Sequence, residues 1–283
     1  MALPIVEYLY GFPDPQPNGY FFDILFDGIF QAPTTTKLVL ESPGGRIVFK
    51  GDFTISGGVV TAGTVAGFNV FAGDNTKVTK ASGFDISATE LINAINEWQS
   101  FNFEPLRQLL LELPTRFIGS ELGDFTTAEG IGSVFHGRQG DDELYAAAGD
   151  ITLKGGKGND LLLAEVGLCF YSGGQGKDVF VFLDPTLPNK IMDFSIEDGD
   201  LFALSTLTFV GIGLGLIDDA QFKVGKHAST PEQIIIYQRG KGNVWYDQDG
   251  SGSTHDPIKF AKVDKGLDLT AQNFYGEGYG IMA

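Results

Sequence analysis

Four aspartates, Asp124, Asp142, Asp160 and Asp178, recur every eighteen residues in glycine-rich sequence. A repeating fold can stack such side chains into a row. Carboxylates in a row, with turn carbonyls beside them, make the all-oxygen donor set of a hard cation such as Ca²⁺, which takes six to eight oxygens. The composition agrees. The 283 residues include 36 acidic against 19 basic side chains, for a formal net charge of −17. A chain of that sign favours cations and repels nucleic acid and anionic membrane, so neither is expected as a direct partner.

The elements that would position the aspartates follow from a period of nine. From Gly119 the chain reads "GSELGDFTT", "AEGIGSVFH", "GRQGDDELY", "AAAGDITLK", "GGKGNDLLL", "AEVGLCFYS", "GGQGKDVFV" without a gap. The fourth position is Gly140, Gly149, Gly158, Gly167 and Gly176 in the last five blocks. The eighth is Phe135, Leu144, Leu153, Leu162, Tyr171 and Phe180 in the last six. Six residues per block are expected to turn, with glycine supplying otherwise forbidden φ/ψ values. Three are expected as a short strand whose middle side chain points inward. One block cannot bury that side chain alone, whereas stacked blocks form a continuous core. The sixth position reads Asp124, Ser133, Asp142, Ile151, Asp160, Cys169, Asp178, and the first alternates Gly, Ala in step.

The register matches G-G-x-G-x-D-x-U-x fully in the fifth and seventh blocks, and departs only at Arg138 in the third. The chain thereby resembles the RTX, or haemolysin-type calcium-binding, family of secreted bacterial proteins. The resemblance implies a parallel β-roll with two blocks per turn. One edge then keeps its aspartates, the other has lost them, and Ca²⁺ lies between adjacent turns. The family pattern implies one site from Arg138, Gly140, Asp142, Gly155, Lys157 and Asp160. A second comes from Gly156, Gly158, Asp160, Gly173, Gln175 and Asp178. Residues other than Asp would act through carbonyl oxygen. A third, from Ser120, Leu122, Asp124, Gly137, Gln139 and Asp142, has Leu122 where glycine is usual. The alternative is a metal-free glycine-rich solenoid.

The expected fold class is all-β, mainly a parallel β-roll of nonapeptide repeats. It is divided into a β-rich N-terminal domain (1–87), a helical connector (88–117), the roll (118–182) and a β-rich C-terminal cap (183–283). "KLVLESPGGRIVFKG" reads as a hairpin around Pro43-Gly44-Gly45. "SATELINAINEW" reads as a helix with Ser87 and Glu90 as capping box and Leu91, Ile95 and Trp98 on one face. "EPLRQLLLEL" is a second helical segment. Turns of the aspartate-free edge carry Ile131, Ile151, Val166, Leu168 and Cys169. So many apolar groups there are expected to be covered, with 91–111 as the cover.

The N-terminus lacks the features of a Sec signal peptide, and no apolar run reaches transmembrane length. The sequence from Ile191 onward resembles the cap of type I secretion substrates, with an uncleaved C-terminal signal; "GEGYGIMA" carries only weak signal character. The resemblance implies the type I secretion machinery as a partner and an extracellular location.

Other chemistry is thinner. Cys169 is the single cysteine. His136, His227 and His255 fall outside H-E-x-x-H, and no G-x-S-x-G occurs. "GIGLGL" and "GGKGND" fail as dinucleotide and phosphate loops. "DQDGSG" at Asp247 starts like an EF-hand, but the twelfth position is Ile258, so a β-turn is expected. "YGFPDP" faintly echoes Y-G-F-D-P-H of calcium-dependent alginate epimerases. Asp14-Pro15, Asp184-Pro185 and Asp256-Pro257 read as turns. Glu7, Asp14, Asp23 and Asp27 are expected on a strand surface rather than in a sugar cleft. The functional expectation is a secreted calcium-binding roll protein that folds on Ca²⁺ after export. The alternatives are a secreted carbohydrate-active enzyme (lyase, epimerase or hydrolase) with its site in the N-terminal domain, and a surface adhesin or matrix protein. Extracellular polysaccharide is a candidate further partner.

Overall fold

The structure, a computed structural model, describes residues 2–9 and 17–278. The "YGFPDP" stretch with Asp14 and the Asp14-Pro15 bond, and the last five residues of the signal-like tail, lie outside them. The fold is mainly β with a parallel β-solenoid core, as expected. It forms two compact units, residues 1–125 with 129–136, and residues 126–128 with 137–283. Among the described residues no helix is long and apolar enough to cross a membrane.

The first unit contains β1 (Ile5–Tyr8), α1 (Pro17–Asp27), β2 (Ile29–Phe30), β3 (Lys37–Ser42), β4 (Gly45–Ser56), β5 (Val59–Ala72), β6 (Lys77–Ser87), α2 (Ala88–Gln99) and β7 (Arg116–Ile118). Strands β2-β3-β4-β5-β6-β1 pair antiparallel in that order, and β7 joins β1 in parallel. The hairpin turns at Pro43-Gly44, with Ser42 opposite Gly45. Alternation in β3 and β4 buries Leu38, Leu40, Ile47 and Phe49 on one face. Helix α2 begins where the capping box places it, the Ser87 hydroxyl accepting from Glu90 N–H. Its Leu91, Ile95 and Trp98 are buried in this unit's own core.

Helix α1 has no counterpart in the sequence reading. "PNGYFFDILFD" is rich in residues of middling helix propensity, and packing decides instead. Ile24 and Leu25 are fully buried and Phe22 stacks on Trp98 with ring centroids 5.4 Å apart. Gln99 Nε2 donates to the Leu25 and Gly28 carbonyls at the C-terminal end of α1. Asp23 and Asp27 therefore stand exposed on a helix, not on a strand surface.

The second unit's strands are β8 (Phe125–Ala128), β9 (Val134–Gln139), β10 (Glu143–Ala146), β11 (Thr152–Lys157), β12 (Leu161–Ala164), β13 (Phe170–Gln175), β14 (Val179–Phe182), β15 (Asn189–Ile191), β16 (Leu201–Ser205), β17 (Gly215–Leu216), β18 (Phe222–Val224), β19 (Ile235–Gln238), β20 (Asn243–Tyr246), β21 (Ile258–Lys262) and β22 (Phe274–Glu277). Phe125 of β8 and Val134–His136 of β9 count with the first unit. Two parallel ladders run through it, β10-β12-β14-β16-β22 and β11-β13-β15-β21. Glu143 pairs with Leu161 and Thr152 with Phe170, so two nonapeptides make one turn.

The eighth positions point inward as expected: Leu144, Leu153, Leu162, Tyr171 and Phe180 are at most 1% exposed. The ladder continues past the repeats, because Phe180, Phe202 and Phe274 are in register. The Phe202 and Phe274 rings stack at 4.6 Å. The turns are shorter than six residues on the aspartate edge. Strands entering it (β9, β11, β13) have six residues and those leaving it (β10, β12, β14) have four. The first three positions of the odd blocks stay paired, as Gly156 with Gly174 and Lys157 with Gln175 show.

The other edge is not covered throughout. Ile151 and Cys169 point into the core, but Ile131, Val166 and Leu168 remain exposed, at 65%, 46% and 38%. The apolar face of α2 is taken up by its own sheet. Burial also pushes the Cys169 thiol up in pKa. A maleimide is therefore expected to label Cys169 slowly in the folded protein, and fast only after denaturation. Rapid labelling of the native chain would contradict this packing.

Candidate metal centre

The aspartate edge is held by one contact made repeatedly. Asp142 N–H donates to Asp160 Oδ1 at 2.9 Å, and Asp160 N–H to Asp178 Oδ1 at 2.9 Å. Asp178 N–H donates to Asp200 Oδ1 at 3.0 Å. Each carboxylate thus clamps the backbone of the turn before it. Asp142, Asp160, Asp178 and Asp200 are each at most 2% exposed.

Clamping uses one oxygen. Asp160 Oδ2 and Asp178 Oδ2 are buried without a hydrogen-bond partner. Each leans over the glycine that opens its own block, and a Cβ built at Gly155 or Gly173 would overlap it. That explains why the first position alternates Gly and Ala in step with Asp. On the other edge Ala146 and Ala164 are simply buried.

Backbone carbonyls line up beside the row. Arg138 O faces Gly156, Gly140 O faces Gly158, Gly156 O faces Gly174 and Gly158 O faces Gly176, each so close that a Cβ would clash. The backbone at Arg138, Gly140, Gly156, Gly158, Gly174 and Gly176 has positive φ. Arg138, at φ 87°, does without glycine's freedom there. Gln175 O already accepts from Gly158 N–H at 2.9 Å. The side chains of Arg138, Lys157 and Gln175 are exposed, so only their carbonyls belong to this line.

The electrostatics at Asp160, Asp178 and Asp200 are those of buried carboxylates close to other carboxylates. Burial first, then the nearby Asp200, Asp160 and Asp193 carboxylates, push Asp178 up to about 7. Burial and Asp141 push Asp160 up to about 6, and burial, with Asp193 and Asp198, pushes Asp200 up to about 6. Among the described residues no three His, Cys, Asp or Glu side chains converge as a metal cluster. Adjacent turns offer two carboxylates, and further donors here are backbone oxygens. Orphaned carboxylate oxygens beside a carbonyl line fit a hard cation.

Asp124 belongs to a closed turn. Its Oδ2 accepts from Ser120 N–H at 2.6 Å, and burial raises its pKa. Asp200 and Asp193 were not foreseen. Asp200 Oδ2 accepts from Ser195 N–H at 2.7 Å, and Asp193 holds Gly173 N–H and the Ser172 hydroxyl. The signal for Asp200 was present as Asp-Leu-Phe, the D-x-U of one more block. A spacing of twenty-two residues from Asp178 hid it. The aspartate-free edge makes the same clamp with neutral groups: Ser133 Oγ accepts from Thr115 N–H and Asn189 Oδ1 from Cys169 N–H.

No protein-family model matches the chain, and no curated protein matches it. Among solved structures it is similar to the AlgE6R3 subunit of the Azotobacter vinelandii mannuronan C5-epimerase. The identity is 19%, over 59% of this chain and 81% of that one, with a TM-score of 0.28. A score that low carries no argument about this protein.

Two outcomes follow. Without a cation, burial pushes Asp160 and Asp200 up to about 6 and Asp178 up to about 7 in the folded chain, against 3.8 for a free side chain. The unfolded chain releases these protons first, so stability falls as pH rises from about 4 to 7 and then levels. Melting in chelator should be higher at pH 5 than at pH 8; the opposite order would refute the raised pKa values of Asp160, Asp178 and Asp200. Separately, Gly155→Ala or Gly173→Ala should destabilise by about 1–3 kcal/mol through overlap with the aspartate. Ala164→Gly should cost about 0.5–1 kcal/mol. Chemical denaturation measures both.

Proposed function

We propose that the solenoid is a calcium-ordered β-roll of the RTX type. The carrying observation is the pair of buried, unpartnered oxygens, Asp160 Oδ2 and Asp178 Oδ2, in one clamped row. One ion would lie among Arg138, Gly140, Asp142, Gly155, Lys157 and Asp160, and the next among Gly156, Gly158, Asp160, Gly173, Gln175 and Asp178. In this reading the roll stays loose where calcium is scarce and folds outside the cell after type I export, the C-terminal part serving as cap and carrying the signal. The division at residues 87, 117 and 182 belongs to the same proposal. Asp124 and Asp200 each have Oδ2 satisfied by a local N–H group, so neither is assigned as a ligand.

A second reading concerns what the roll serves. The alternative is a carbohydrate-related role for residues 1–117, where Asp23 and Asp27 stand exposed on α1. Proton NMR of mannuronan incubated with the protein and calcium tests it directly. Altered or shortened chains would support an enzyme, while unaltered polymer that co-sediments with the protein would support a binding or matrix role.

The calcium reading is checked by calorimetry and melting curves of Asp→Asn variants at pH 8. Asparagine keeps the clamping oxygen and removes the charge. Asp160→Asn should lower the melting point in millimolar calcium and raise it in chelator, since it relieves repulsion there. Asp200→Asn should show a much smaller difference between the two conditions. Identical behaviour of the two variants, or no calcium uptake by the wild type, would overturn this reading.

A further inference from the structure

The cap holds a second pair of buried acidic oxygens, remote in sequence from the row. Asp247 directly follows β20, and the loop from it to Pro257 leads into β21, the antiparallel partner of β20. Asp247 is 4% exposed, although it ends a strand beside a polar loop. Its Oδ1 is buried with no hydrogen-bond partner, and so is Asp249 Oδ1. The two carboxylates stand within hydrogen-bonding reach of each other.

The rest of the loop fixes this pair in place. Asp247 N–H donates to Ile234 O at 2.8 Å, and Asp247 O accepts from Gly250 N–H. Ser251 N–H donates to Thr230 O at 3.1 Å. The other oxygen of Asp249 accepts from Thr254 N–H at 2.7 Å and His255 N–H at 3.4 Å, folding residues 249–255 around the carboxylate. Gly252 lies so close to Asp249 Oδ2 that a Cβ would clash. Donors therefore hold Asp249 Oδ2, while Oδ1 of each residue is buried without a donor.

Two carboxylates held this close out of water cannot both stay ionised without a cation between them; otherwise one keeps a proton. Neither Lys nor Arg forms an ion pair with Asp247 or Asp249 among the described residues. We propose that the loop 247–255 is a distinct site for a hard divalent cation of the calcium class, with the carboxylates of Asp247 and Asp249 as its charged ligands. The absence of a glutamate at Ile258 rules out an EF-hand but not this site, because its remaining oxygens come from carbonyls, hydroxyls or water. The site would tie the β20–β21 hairpin of the cap, and it stands whether or not the roll binds calcium.

The adjacent Trp245 supplies a local reporter, since the only other tryptophan, Trp98, belongs to the first unit. The full-length protein is titrated with terbium(III), a luminescent stand-in for calcium, under selective tryptophan excitation. We expect sensitised emission that calcium competes away. Asp247→Asn and Asp249→Asn should each weaken terbium binding at least about tenfold by removing one of two charged ligands. Asp160→Asn should leave this signal in place. Melting in chelator guards against misfolding: both cap variants should melt at or above the wild-type temperature there, and below it in calcium. Wild-type emission in both cap variants, or its loss in Asp160→Asn alone, would overturn the proposal. So would equal destabilisation of the cap variants with and without calcium.

Discussion

A backbone N–H on one turn, accepted by the aspartate of the next, is the interaction on which the second unit depends. A stacked turn exposes peptide groups that its own residues cannot satisfy, and an unmade hydrogen bond at a buried N–H costs about 1–3 kcal/mol. Asp160, Asp178 and Asp200 each meet that need for the turn before. Ser133 and Asn189 do so on the opposite edge without adding charge. The clamp alone does not require acids. Charge confined to one edge, with an oxygen left over on Asp160 and Asp178, is what the clamp does not explain and the proposed cation would.

The same contact dictates composition nearby. A carboxylate reaching to the neighbouring turn lies across the first residue of its own block, which leaves no room for Cβ. Glycine is required there for space, whereas at Gly156 and Gly158 it is required both for positive φ and for the carbonyl facing it. Arg138 keeps the backbone shape without the residue that favours it.

Beneath the edge, the inward-facing ladder supplies the cohesion. It does not end with the repeats, for Phe180, Phe202 and Phe274 are in register and their neighbours Phe194 and Phe260 pack around them. Stacked aromatic rings close the solenoid where a last turn would otherwise expose its core. The insertion between β16 and β22 returns to the same parallel ladder and carries the Asp247 loop on its β20–β21 hairpin.

By itself the sequence determined the nonapeptide period, the inward residues, the acids in alternate blocks, the hairpin at Pro43-Gly44 and the start of α2 at Ser87. Each is a matter of local periodicity or of a cap within a few residues, which the order of side chains states outright. Two blocks per turn was implied by the family resemblance and is shown by the strand pairing. Helix α1 was not legible, because its aromatic residues become helical through packing on Trp98 and the sheet rather than through propensity. Asp200 was hidden by four extra residues in one loop, and only the pairing of Asp178 N–H with its carboxylate restores it to the row. Asp247 and Asp249 looked like an ordinary turn. What distinguishes them is burial of oxygens without partners, a property of the surroundings that three-dimensional packing alone decides.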